Sequence, residues 1–393
     1  MIELLAPAGD LEKLKIAIIY GADAVYIGGK SYSLRARASN FELLDIAAAC
    51  SFAKQYKRKI YVTTNIIPHN EDIDGFCDYV KSLNEVGVNG LIVSSPYYAT
   101  ISRKIAPNLE IHLSTQTSVS NSAALNYYQR FGFTRAVLAR EVNLQQIKEI
   151  QKNTNIDLEV FIHGGMCSSY SGRCVLSNYL TGRDANRGGC AHSCRWDYDI
   201  YKDNKKINIK PFNIASKDLS AIEVIPNLID LGIKSLKIEG RMKSIYYIAS
   251  IVRTYRRLID EYLNNKYISD FGYYENELKK AEGRVSASGF LMGLSEVDIQ
   301  LYKSSIEQVS TFVGVVIDYD KENQIATLEQ RNYFTIGDKL EFFGPNLENK
   351  QIIVQEIFDN DGLPLDAARH PKQIIKLKVP FIVSYLDMIR TIV

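Results

Sequence analysis

The sequence predicts an α/β chain: a (β/α)8, TIM-like barrel with a cysteine-rich insertion, followed by a small C-terminal β-barrel domain. Three observations predict it. Up to about residue 265, eight short apolar or β-branched runs alternate with segments of helical period. No G-x-G-x-x-G follows the first run, as a dinucleotide-binding open sheet would require. From about residue 310 the texture changes to short strands joined by turns. The implied divisions are a barrel over 1–265 with its insertion at 163–199, a connector over 266–309 and a β-domain over 310–393.

The eight runs are IELLA (2–6), AVYIG (24–28), IYVTT (60–64), GLIVS (90–94), EIHLS (110–114), AVLA (136–139), LEVFI (158–162) and SLKIE (235–239). Between the first two lies DLEKLKIAIIYG, where Asp10 is placed to cap a helix and Gly21 to end it. NFELLDIAAACSFAKQY follows the second, entered through Asn40. After the insertion, DYDIYKDNKKINIKPFNI (197–214) alternates about an Asp-Asn turn and reads as a hairpin. IYYIASIVRTYRRLIDEYLNN (245–265) is a long helix, and YENELKKAEGRVSASGFLMG a polar connector. The strands TFVGVVIDYDKENQIATLEQ, GDKLEFFG and QIIKLKVP then make the β-domain.

Composition narrows the function classes. An apolar share of 46% supplies a full core, and a formal charge of +2 gives no global attraction to nucleic acid or membrane. No apolar run approaches the roughly 18–20 residues of a spanning helix, and MIELLAPAGD has no basic-then-apolar leader. The expectation is a cytoplasmic protein without a membrane partner.

Four of the six cysteines, Cys167, Cys174, Cys190 and Cys194, are spaced C-x6-C-x15-C-x3-C in the segment that leaves strand seven. In a reducing compartment such a group suggests metal or catalytic chemistry before disulfides. Paired C-x2-C knuckles, the usual mark of structural zinc, are absent. The wider spacing suits an iron–sulfur centre, while zinc, a cysteine nucleophile and inert thiols stay open. Cys50 and Cys77 lie in helical apolar patterns and read as core residues.

On this fold, chemistry gathers at the C-terminal ends of the strands. Arg35 and Arg37 follow strand two, His112 and Gln116 flank the end of strand five, and Arg140 follows strand six. His163 ends strand seven, and Lys237, Glu239 and Arg241 end strand eight, sharing one side by alternation. Acid–base work falls to Glu239 or His163. His112 and Gln116 carry donors for a nucleobase or carbonyl, although His112 reads equally as a satisfied buried histidine. Trp196 and Tyr198 could stack on a base or shield a cluster; Arg253, Arg256 and Arg257 could meet phosphates or form a solvated helix face.

EVFIHGGMCSSYSGRCVLS (159–177) resembles the signature of peptidase family U32, through Glu159, Phe161, Cys167, Gly172, Cys174, Leu176 and Ser177. The similarity continues through GRDANRGGCAHSCRWDY (182–198) and SKDLSAIEVIPNLIDLGIKSLKIEGRMKS (216–244); Gly165 departs from it, standing where the signature has Ala or Ser. Despite the family's name, its better understood members resemble iron–sulfur hydroxylation proteins acting on a tRNA wobble uridine, a ribosomal cytidine or a ubiquinone precursor. The resemblance implies a tRNA 5-hydroxyuridine enzyme with Cys167, Cys174, Cys190 and Cys194 as [4Fe-4S] ligands. It also implies prephenate as co-substrate and tRNA as partner, and leaves open a homologous second subunit. A dicarboxylate such as prephenate is best held by guanidinium and ammonium groups, here Arg241, Lys237, Arg35 and Arg140. The alternatives are a U32-type peptidase, for which His163 and Cys167 could form a dyad, and hydroxylation of another RNA base or a quinone precursor. Neither H-E-x-x-H nor G-x-S-x-G occurs.

Overall fold

The computed structural model describes residues 2–34, 40–208, 211–294, 296–300 and 309–392. Eight parallel strands run β1 (Glu3–Pro7), β2 (Ala24–Gly28), β3 (Lys59–Thr64), β4 (Gly90–Val93), β5 (Glu110–Leu113), β6 (Arg135–Val137), β7 (Asp157–Gly164) and β8 (Ser235–Ile238). β8 pairs with both β7 and β1, so the sheet closes into a barrel. Each predicted run lies within two residues of its strand. Strands buried on both faces read as continuous apolar runs, which is why all eight were legible.

Helices cover the barrel: α1 (Leu11–Ile19), α2 (Leu43–Gln55), α3 (Phe76–Glu85), α4 (Pro96–Ile105), α5 (Ser122–Gln129) and α6 (Leu144–Lys152). α1 starts as predicted, with the Asp10 carboxylate accepting the Lys13 N–H at 2.9 Å. α2 does not: its cap is Glu42, in a reciprocal box with Asp45, and the Asn40 carboxamide instead accepts from Arg241 at 2.6 Å. Cys50, on α2, is buried, and burial pushes its thiol up to about 11. Cys77 is exposed, against expectation, because Phe76, Val80 and Leu83 form the buried stripe of α3 and Cys77 falls beside it.

The insertion after β7 carries one short helix, α7 (Leu176–Thr181), and a hairpin of Tyr201–Lys202 with Lys205–Lys206. Asp203 and Asn204 both have positive φ, 49° and 61°, as the two-residue turn demands. The chain then adds Asp218–Ser220 antiparallel to β7 and, through α8 (Ile225–Asp230), enters β8. α9 (Ile245–Asn265) matches the predicted long helix. The predicted polar connector is more structured than expected: it forms α10 (Phe271–Lys279), packed on α9, and a short strand, Ser286–Ala287, paired with Asp218–Leu219.

The C-terminal domain is an eight-stranded antiparallel sheet, centred on Phe312–Asp320, Ile325–Gln330, Met388–Thr391 and Ile374–Lys378, with its own core around Val316, Leu328, Phe342 and Ile375. α9 clamps it to the barrel. Arg253 donates to the Gly344 and Leu347 carbonyls, both at 2.7 Å. Arg257 pairs with Glu348 at 2.7 Å, and Arg256 turns to Asp23 at 2.9 Å. This replaces both earlier readings of the RTYRR arginines: they are neither phosphate-facing nor a merely solvated face. No helix among the described residues is long and apolar enough to cross a membrane.

Candidate active site at the barrel mouth

Inward positions on parallel barrel strands form layers, and here the lower layers are charged rather than aliphatic. Glu159 of β7, fully buried, receives Lys237 of β8 at 2.7 Å and Arg135 of β6 at 3.4 Å. Arg135 also reaches Glu3 at 2.6 Å, and Glu3 accepts the Tyr61 hydroxyl at 2.8 Å. Burial alone would raise the Glu159 carboxyl, but the Lys237 and Arg135 charges prevail and hold it below the usual carboxylate range. His112 belongs to this floor. Its ring is buried, with Nε2 3.0 Å from Glu110 and its face against Tyr61.

Above the floor, the strand ends and the insertion enclose a cavity of about 170 Å³. Tyr26, Ile92 and Phe161 form its apolar base, and Gln116, Arg140, Lys237, Glu239 and Arg241 supply polar walls. The roof contains Cys167, Cys174, Cys190 and Cys194. The structure therefore gathers nine of the predicted site residues around one space.

Each polar group is held differently. Lys237 is paired to Glu159 and lies 4.5 Å from the Tyr26 ring centre. The Arg241 guanidinium donates to Ser33, Thr63, the Leu34 carbonyl and Asn40 at 2.6–3.2 Å. A side chain at Gly28 would put its Cβ 2.2 Å from that guanidinium, so any other residue there would push the fork off these partners. Arg140 lies over Phe161, its Cζ 3.9 Å from the ring centre. A Glu239 oxygen accepts the Gly165 N–H at 3.2 Å. An added Cβ at Gly165 would come 3.3 Å from that oxygen, so the Ala or Ser of the signature needs only a small shift of the carboxylate.

Two predicted residues lie away from the cavity. His112 is in the floor beneath it. His163 faces outward, its Nδ1 3.3 Å from the Tyr255 hydroxyl of α9 and its ring between Tyr247 and Tyr255. The cause is a bulge: Phe161 pairs with Lys237, but His163 pairs with Ile238, so the register slips by one and the side chain changes face. Burial, with the Lys243 charge, drives the His163 pKa down to about 3, leaving a neutral ring. The His163–Cys167 dyad considered from the sequence is not formed. Arg35 and Arg37 lie outside the described residues. Trp196 is exposed rather than folded over the cysteines, and Tyr198 donates its hydroxyl to the Ser193 carbonyl at 2.6 Å.

Sequence reasoning missed Ser33, Thr63, Asn65 and Asn186, which line or brace the cavity. Small polar residues after a strand carry no distinctive spacing, so only their convergence reveals them. It also missed a second cavity of about 130 Å³ behind Cys167, Cys190 and Cys194, sharing Arg140 and Glu239 with the first. Among the described residues no three His, Cys, Asp or Glu side chains stand close enough to hold a single metal ion. Burial, and the Cys167 and Cys190 thiols beside it, raise the Cys194 pKa, so ionising the group together is costly without a cation.

The model for Peptidase family U32 matches residues 9–300, and that for the Peptidase family U32 C-terminal domain matches 308–390. The chain is 49% identical over 387 residues to the tRNA hydroxylation protein P1 of Bacillus subtilis, covering 96% of this chain and 92% of that protein. It is 38% identical over 266 residues to a 23S rRNA 5-hydroxycytidine synthase of Escherichia coli, covering 67% and 40%. It is 30% identical over 374 residues, covering 90% and 89%, to a collagenase of Porphyromonas gingivalis.

Proposed function

The chain belongs to peptidase family U32, and from that premise we propose that it is an RNA-modifying hydroxylase that converts a tRNA uridine to 5-hydroxyuridine. In this reading Cys167, Cys174, Cys190 and Cys194 hold a [4Fe-4S] cluster and prephenate is the co-substrate. The observation that carries it is the convergence of four thiols with Arg140, Lys237, Gln116 and Glu239 on one cavity at the barrel mouth. Four soft ligands on separate turns, without the C-x2-C knuckles usual for structural zinc, support a cluster in this reading. A cluster bound there supplies electron-transfer chemistry.

The remaining roles belong to the chain. Arg140 is the cation best placed for an incoming carboxylate, since Glu159 holds Lys237 and the β2–β3 wall holds Arg241. Lys237 and Arg241 then shape the positive wall rather than grip the ligand directly. Gln116 offers both a donor and an acceptor to the edge of a pyrimidine, and Phe161 and Tyr26 offer an apolar bed for its face. Glu239, oriented by the Gly165 amide, is positioned to take or return a proton at its carboxylate. Peptidase chemistry has less support: His163, the base proposed for it, lies behind the barrel wall.

The test is complementation of a strain lacking the protein, with nucleoside analysis of its tRNA and iron and sulfide analysis of anaerobically purified protein. Wild type should restore 5-hydroxyuridine and carry about four irons per chain. Cys174→Ala should lose both, while Arg140→Ala should keep its iron and need more prephenate. A wild-type protein that restores no hydroxyuridine, or that cleaves casein in a cysteine-dependent way, sinks the reading.

A further inference from the structure

We propose that the outer face of the insertion, presenting Tyr170, Tyr179, Trp196 and Tyr201, is the platform that holds the single-stranded loop of the RNA around the reacting base. The inference rests on the hydroxylation reading and adds to it the surface and the form of RNA recognised.

Four observations lead to it. First, the rings are uncovered: Tyr179 is 85% exposed, Tyr201 63%, Tyr170 46% and Trp196, the single tryptophan of the chain, 43%. Second, α7 has little core of its own. Ser177 is its buried residue, and Val175, Tyr179 and Leu180 all face solvent, an arrangement that does nothing for the stability of the helix. Third, the charge fits a polyanion. Residues 167–208 contain seven Arg and Lys against four Asp, whereas the whole chain has an excess of only two, so the rest is net negative. Fourth, the platform adjoins the mouth. Tyr170 lines the cavity with the cysteines, and α7 packs on the 3-10 turn Ser193–Arg195 that immediately precedes Trp196. The Asn178 side chain accepts the Ala185 N–H, and Ala185 and Asn186 are themselves cavity residues.

The chemistry of the reaction explains why such a surface is needed. A uridine reaches an enclosed cavity only when it is unstacked, so its neighbours lose their stacking partners at the same moment. Exposed aromatic rings beside the opening replace that stacking, and the hairpin of the same insertion adds Lys202 and Lys205 for the phosphates, Lys206 being paired with Asp199 at 2.8 Å. The combination favours a loop over a duplex, because paired bases offer no free faces. It also favours RNA over a protein partner, which the local positive excess does not require.

Binding of the full-length protein to a short RNA hairpin with a uridine in its loop, and to the same sequence as a perfect duplex, tests this directly. Wild type should prefer the hairpin. Tyr179→Ala and Trp196→Ala should each weaken hairpin binding about tenfold, the order expected when one base loses a stacking partner, while retaining iron content. Lys205→Ala should reduce the salt dependence of binding, and Tyr385→Ala on the C-terminal domain should change nothing. Unchanged hairpin affinity and an unchanged KM for tRNA in the Tyr179→Ala, Trp196→Ala double variant overturn the platform while leaving the hydroxylation reading intact. So does loss of self-association in that variant with RNA binding preserved, which makes the face a protein contact. Loss of hydroxyuridine formation in the wild type instead removes the reading on which the platform depends.

Discussion

Glu282 shows how a single buried group couples this barrel to pH. Its side chain is 7% exposed, accepts the Ser286 hydroxyl at 2.9 Å, and lies 3.8 Å from the neutral His163 ring. Burial, reinforced by Asp218 and opposed by the Ser286 hydrogen bond, raises its pKa from 4.5 to about 7. Between those values the native state keeps a proton that the unfolded chain has released, so stability falls as pH rises through the window. Glu282→Gln should therefore match wild type in unfolding free energy near pH 4 and exceed it at pH 8, by up to about 3 kcal/mol. Equal pH dependence in the two proteins would show that the carboxyl is already ionised in the fold. Residue-scale legibility was mixed for a physical reason. Lys237 and Arg241 followed strand alternation, whereas His163, one step past the bulge in β7–β8 pairing, did not.

The insertion is the element whose order depends most on its ligands. Its folding rests on polar contacts: Ser177 Oγ accepts the Ala191 N–H at 2.9 Å, Asn186 donates to the Cys174 carbonyl at 3.0 Å, and the Ser171 N–H donates to Glu141 at 2.9 Å. Such contacts are each worth about 1 kcal/mol net, far less than a packed apolar face. Cross-linking through four cysteines would supply what the missing core does not. Cys174→Ala should accordingly raise amide hydrogen exchange across residues 167–199 and leave β1 to β8 protected. Exchange rising throughout the barrel would mean that the insertion and barrel unfold as one unit. The element was visible in the sequence because its four cysteines are close along the chain; α10, by contrast, was hidden by a charged composition that masks one buried face.

A buried ion cluster joins the two domains. Arg390, with no exposed surface, donates to Glu277 of α10 at 2.8 Å and to Glu341 of the β-domain through its Nε, also at 2.8 Å. Arg253 adds its carbonyl contacts from α9, and Tyr246 stacks on Phe312 with ring centres 5.2 Å apart. Arg390→Met would leave both buried carboxylates to Lys280, which reaches Glu277 at 2.6 Å and Glu341 at 3.1 Å, so the cost stays at about 3 kcal/mol or below. Calorimetry should show one unfolding transition for wild type and a lower, split transition for the variant. A variant that keeps a single transition at the wild-type temperature would place the coupling elsewhere.

The sequence by itself determined the barrel, the long α9, the separate β-domain and the cysteine quartet, because each is written in local periodicity or short spacing. Tertiary structure alone decided which side chains share the cavity. His163 is turned away by a one-residue slip in register, and Asn40 is taken from its helix cap by Arg241, which lies 201 residues further along the chain. Arg253 and Arg390 are drawn into the domain interface by Gly344 and Glu277, 91 and 113 residues away. Contacts made across such separations depend on closure of the barrel and docking of the second domain, and no local pattern along the chain encodes either.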